Sequence, residues 1–240
     1  MCEKVFIGLQ MKSQLYLHDS LRKFYISEIE TFIRVFNLKL FPAFFDIDQE
    51  AEQLGQNYFD EVMNSPGDGS LDPATLAESA MDKVISHYSD LSLVKYEFTA
   101  ISTATLYLIW EQQVRRFLFK EMSHVFEIKY SEFCTKGIGE IKENFKKHNV
   151  DIEKLNSWPR LNELRLLCNV IKHGDGGAAQ KLLKINKGLF KAEYHKDVYG
   201  LSLDTTLLDE SLEINQDIFN NYGKNIVTFW NELPEISYEK

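Results

Sequence analysis

From Ala74 to Lys136 the chain holds neither glycine nor proline. A run of that length lacks the residues that supply tight turns or break an i→i−4 hydrogen-bond ladder, so it favours helix over a turn-rich β fold. The rest of the sequence shares the bias, with 12 Gly and 5 Pro among 240 residues. Apolar residues make up 44% and aromatic residues 13%, enough to build a core and out of range for a disordered chain. The expected fold class is all-α: a helical bundle of about six to eight helices with a less regular C-terminal segment that has room for a short hairpin.

Apolar spacing places the elements. Leu17, Leu21, Phe24, Tyr25, Ile29, Phe32, Ile33 and Phe36 recur at helical intervals, with Asp19 or Ser20 at the start and a break at Pro42. A second helix is expected from Asp48 to Met63. "NSPGDGSLDPATL" is the strongest loop, and Asp72 followed by Pro73 is a good cap and first helical residue. The glycine-free run divides into a helix over Pro73–Tyr88 and a longer one over Leu93–Val125. The buried stripe of the latter is Tyr96, Ala100, Tyr107, Trp110, Val114, Phe117 and Leu118, and Glu111 and Arg115 form a surface ion pair.

A turn at Gly137–Gly139 introduces a short basic helix. Another helix follows with Pro159 near its start, and a final one spans Leu212–Leu233. The segment from Phe190 to Leu208 is irregular and is the place for the strand or hairpin. No convincing linker appears, so one domain is expected over 1–240: N-terminal helices and loop in 1–72, the bundle core in 73–187, and tail and final helix in 188–240.

Three cysteines without a CxxC argue against a disulfide framework and for a reducing, cytoplasmic setting. The N-terminal apolar run is too short for a signal peptide, and the most apolar helix is shorter than a membrane span, so no membrane partner is expected. Net charge is −9, yet Lys136–Asp197 carries 13 Lys/Arg against 8 Asp/Glu. A basic region on an acidic protein can attract an anion, although uneven charge on solvated helix faces is also ordinary.

Within that basic region lies "LRLLCNVIKHGDGGAAQKLL", Leu164 to Leu183. At about 100° per residue, Arg165, Asn169 and His173 form one drifting polar stripe, with Lys172 close to Arg165 on the same face. The chemistry suits metal-free RNA cleavage. His173 titrates near neutrality and can move a proton to or from a 2′-hydroxyl or a leaving oxygen. Arg165 and Lys172 can bind phosphate, and Asn169 can orient the imidazole or a 2′-hydroxyl. A helix ending Lys-His-Gly is also a plain C-terminus: cations sit where the dipole favours them, and Gly174 is a left-handed cap. Capping accounts for each of these residues except Asn169.

The order Arg, Asn, Lys-His-Gly on a late helix of an all-α bundle resembles the HEPN superfamily, especially the HEPN-like proteins of bacterial defence and toxin–antitoxin loci. The resemblance covers about Leu93 to Lys187. It implies a metal-independent ribonuclease or toxin that acts as a homodimer, with RNA as substrate and an antitoxin or other protein as partner. The catalytic residues would be His173, Arg165 and Asn169, and the phosphate-binding residues Lys172, Lys184 and Lys187. In the family, arginine is often followed by a polar residue, and four to six residues intervene between the arginine and a histidine. Here Cys168 precedes Asn169, and seven residues separate Arg165 from His173. Members that have lost the arginine serve as non-catalytic modules binding a protein partner or a nucleotide.

No cofactor or metal is expected. Asp46, Asp48, Glu50 and Glu52 are explained as an acidic helix start, and the six histidines lack paired zinc spacing. "GDGGAAQK" follows a helix and lacks the lysine–hydroxyl pair of a phosphate loop. Lys184, Lys187 and Lys191 could share a helical face that attracts a nucleic-acid backbone, or form an ordinary solvated face.

Overall fold

The computed structural model describes residues 13–65, 72–135, 137–191 and 206–240. The helices are α1 (Asp19–Val35), α2 (Ile47–Asn64), α3 (Pro73–Met122), α4 (Tyr130–Cys134), α5 (Ile138–Lys147), α6 (Trp158–His173), α7 (Gly177–Ile185) and α8 (Gln216–Glu232). The protein is an all-α helical bundle, as its glycine-poor sequence requires. One antiparallel strand pair joins β1 (Gln14–Tyr16) to β2 (Ile236–Tyr238), with Leu15 opposite Ser237. Three residues per strand are too few for alternation to show in the sequence. The hairpin expected around residues 190–208 falls largely outside the described residues. No described helix is long and apolar enough to cross a membrane.

The largest difference from expectation is α3, one helix of 50 residues rather than two. Nothing in "HYSDLSLV" forces a break. Its serines do not leave the helix to cap a turn. Ser89 Oγ donates to the Ile85 carbonyl at 2.8 Å. Thr99 does the same to Lys95 at 2.7 Å and Thr103 to Thr99 at 2.8 Å. This back-bonding satisfies hydroxyls within the helix, and it overrides their weak preference for caps. The start is as expected: Asp72 accepts from Ala74 N at 3.2 Å. Pro42 likewise ends α1 through a π turn, Phe36–Leu40, and a 3₁₀ turn, Phe41–Phe44.

Contacts divide the chain into two units. The first comprises Met1–Thr31, Thr105–Arg165 and Asn221–Lys240, and the second Phe32–Ala104 and Leu166–Asn220. All seven residues of the expected α3 stripe are buried. In the first unit, Trp110, Val114, Phe117 and Leu118 form the core with Tyr25, Ile29, Phe229 and Trp230. Tyr25 stacks on Trp230 at 4.5 Å, and Trp110 meets Phe229 edge-on at 5.2 Å. In the second unit, Phe36 packs on Phe219 at 4.0 Å and on Phe98 at 6.0 Å. Tyr96 donates to the Thr206 carbonyl at 2.7 Å and accepts from Leu212 N at 3.3 Å.

The Glu111–Arg115 pair forms at 3.0 Å, but it is not on the surface. Its side chains are 22% and 11% exposed, because α4 covers it and Phe133 supplies a carbonyl to Arg115 at 3.4 Å. A second polar device fixes the start of α6. The Glu232 carboxylate accepts from Asn156 N at 3.1 Å, Ser157 N at 3.0 Å and Ser157 Oγ at 2.6 Å. Burial opposes its ionisation, but these hydrogen bonds outweigh burial and hold its pKa below the usual value.

Two predictions follow from these elements. Ser89→Pro should destabilise the protein by about 3 kcal/mol in urea unfolding, because proline inside a helix removes a hydrogen bond and clashes with the preceding turn. Near-normal stability would mean that the chain turns there. Glu232→Ala should cost about 1 kcal/mol at pH 7, the usual scale for a lost cap. A depressed carboxylate pKa stabilises above the unfolded value and loses that stabilisation as pH falls through the folded value. The gap between wild type and variant should therefore close below about pH 4, near the unfolded glutamate pKa.

Candidate functional site

The end of α6 is capped as a helix end should be. Gly174 has φ 68°, and its N–H donates to the Val170 carbonyl at 2.8 Å. Thr206 Oγ1 lies 3.1 Å from the Val170 carbonyl and 2.9 Å from that of Ile171, so one hydroxyl serves the terminal acceptors. The Val170 and Ile171 carbonyls are thus served by groups other than the side chains of Lys172 and His173. Both are exposed, and neither makes a side-chain hydrogen bond among the described residues. Asn169 is half-buried, and Cys168 is 2% exposed within the core. Lys181 and Lys184 on α7, and Lys187 just beyond it, are exposed as well. The second unit thus carries an exposed run of cations from Lys172 to Lys187.

Arg165 belongs to the first unit and is engaged locally. Its Nε and Nη2 donate to Asn162 Oδ1 at 3.2 and 2.9 Å, one turn towards the helix start. A planar guanidinium held by two bonds to one acceptor is fixed in direction. Close by, Glu163 is only 5% exposed. It accepts from Arg160 Nη1 at 2.6 Å and from Tyr222 Oη at 2.7 Å. Burial, then the bond to Glu163, raises the Tyr222 pKa, so this phenol stays protonated and donates.

A feature that sequence reasoning missed lies in the first unit. A cleft of about 710 Å³ opens along one face of α3, where Ile109, Gln112, Gln113, Arg116, Phe119 and Lys120 recur at helical spacing. Tyr25 and Glu28 of α1 and Tyr130 of α4 complete it. The volume is in the range of small-ligand sites. Gln113 is buried and fully used: Nε2 donates to the Tyr25 carbonyl at 3.1 Å and to Glu28 at 2.9 Å, while Oε1 accepts from Trp230 Nε1 at 2.9 Å. Tyr25 is 1% exposed, and its hydroxyl has no hydrogen-bond partner among the described residues. Burial pushes its pKa up to about 12, so it is a neutral donor at physiological pH. The available signal was the series Gln112, Arg116 and Lys120, polar residues one turn apart on the face of the helix opposite its apolar stripe.

No protein-family model matches the chain, and no curated protein or solved structure matches it either.

The orphan hydroxyl has a measurable cost. Tyr25→Phe keeps the ring stacked on Trp230 and removes an unsatisfied buried donor. It should leave stability unchanged or raise it by about 1 kcal/mol in urea unfolding. A loss of 1 kcal/mol or more would show that the hydroxyl is satisfied in solution.

Proposed function

We propose that the chain is a HEPN-like helical module that holds RNA by its phosphate backbone and does not cut it. The observation that supports this most is the state of α6. The position before Asn169 is a buried cysteine, and the nearest upstream arginine is committed to Asn162. Lys172, His173, Lys181, Lys184 and Lys187 nevertheless remain exposed in the second unit. Exposed cations bind a polyanion by releasing its counterions, and this needs no fixed catalytic geometry.

One observation favours a second reading, a metal-independent ribonuclease. His173 is exposed and makes no hydrogen bond among the described residues, so its imidazole is free to exchange a proton with a 2′-hydroxyl, with Lys172 beside it for phosphate.

Fluorescence anisotropy with a labelled single-stranded RNA, run in EDTA with the RNA then examined on a gel, separates these readings. Binding should weaken with salt. The triple variant Lys172→Ala/Lys184→Ala/Lys187→Ala should bind roughly tenfold more weakly, with the log–log salt slope reduced by about 2, as three lost contacts to a single strand predict. The RNA should stay intact. Cleavage that His173→Ala abolishes would replace this reading with the second. No binding by the wild type would remove both.

A further inference from the structure

The cleft on α3 combines three features that a surface groove does not need. Its walls are mostly apolar, with Phe119 and Tyr130 paired edge-on at 4.8 Å. Arg116 and Lys120 are exposed on successive turns, and among the described residues neither side chain has an ion-pair or hydrogen-bond partner. The single carboxylate in the lining, Glu28, already accepts from Gln113. Tyr25 also lines the cleft; its hydroxyl is buried, has no hydrogen-bond partner among the described residues, and lies near enough to Arg116 and Glu28 to feel both charges. Buried polar groups are nearly always satisfied, and an orphan beside a cleft marks a place where stability has been given up.

We propose that this cleft binds a small amphipathic anion: an aromatic ring carrying an acidic head. The ring lies along Phe119 and Tyr130, since aromatic walls favour stacked or edge-on partners. The head meets Arg116 and Lys120, which have no ion-pair or hydrogen-bond partner among the described residues. Gln113 takes no part in recognition because all its hydrogen-bonding atoms are occupied; it is a positioning residue that holds Tyr25 and Glu28 in place. The site is independent of the cations at the end of α6, and its ligand is a small molecule rather than a polymer.

The test uses the full chain and anilinonaphthalene sulfonate, a fluorescent aromatic anion of this kind. Its titration should saturate at one site. Arg116→Ala/Lys120→Ala should weaken it at least tenfold. Displacement by naphthoate but not by AMP identifies a carboxylate on a hydrocarbon ring; the reverse identifies a nucleoside phosphate. Inorganic phosphate should displace the probe poorly. Binding that the double variant leaves unchanged, binding without saturation, or displacement by phosphate alone would overturn the proposal.

Discussion

One buried amide organises the first unit. Gln113 sits on α3 with its carbonyl oxygen receiving the Trp230 indole and its nitrogen serving the Tyr25 carbonyl and Glu28. Each bond alone adds little net stability, but losing a partner inside the core exposes the full cost of desolvation. The amide therefore fixes the mutual register of α1, α3 and α8 more strictly than the surrounding apolar rings can. Tyr25 and Trp230 can then stack, and with Tyr25 held in that stack its hydroxyl is left without a partner. The orphaned donor is thus a consequence of how the core is registered, and the cleft inherits it.

The fold was legible because it rests on statements a sequence makes locally. The absence of Gly and Pro, the Asp72–Pro73 start, and a stripe from Tyr96 to Leu118 that is buried throughout all depend on neighbours a few residues apart. The joint expected between Tyr88 and Leu93 falls on polar residues. Those residues had a second option, donating to the carbonyl one turn back, and the helix takes it at Ser89. The Glu111–Arg115 pair was correct in spacing and wrong in environment. Whether an i,i+4 pair faces water depends on α4, which lies elsewhere in the sequence.

The end of α6 shows the same limit from the functional side. Gly174 announced the stop, and its φ of 68° agrees. The sequence did not show that Thr206 would serve the last carbonyls, leaving Lys172 and His173 exposed and unengaged. Nor did it show that Asn162 would hold Arg165, because the place of Arg165 on a stripe with Asn169 and His173 says nothing of a partner one turn back. The cleft was missed for a related reason: the apolar stripe of α3 marks what the helix buries, whereas Gln112, Arg116 and Lys120 lie on the face that lines the cleft.

The strand pair has a consequence in time. Gln14–Tyr16 finds its partner only at Ile236–Tyr238, and the first unit is assembled from three separated stretches of chain. On a ribosome that unit cannot close until almost the last of these residues has emerged, whereas the second unit has all its residues by Asn220. A contact between such distant positions carries the largest loop-closure cost in the molecule. The unit that holds the cleft is thus sealed after the other, and until then Tyr25 and Trp110 wait for Trp230 and Phe229, the aromatic partners that α8 delivers.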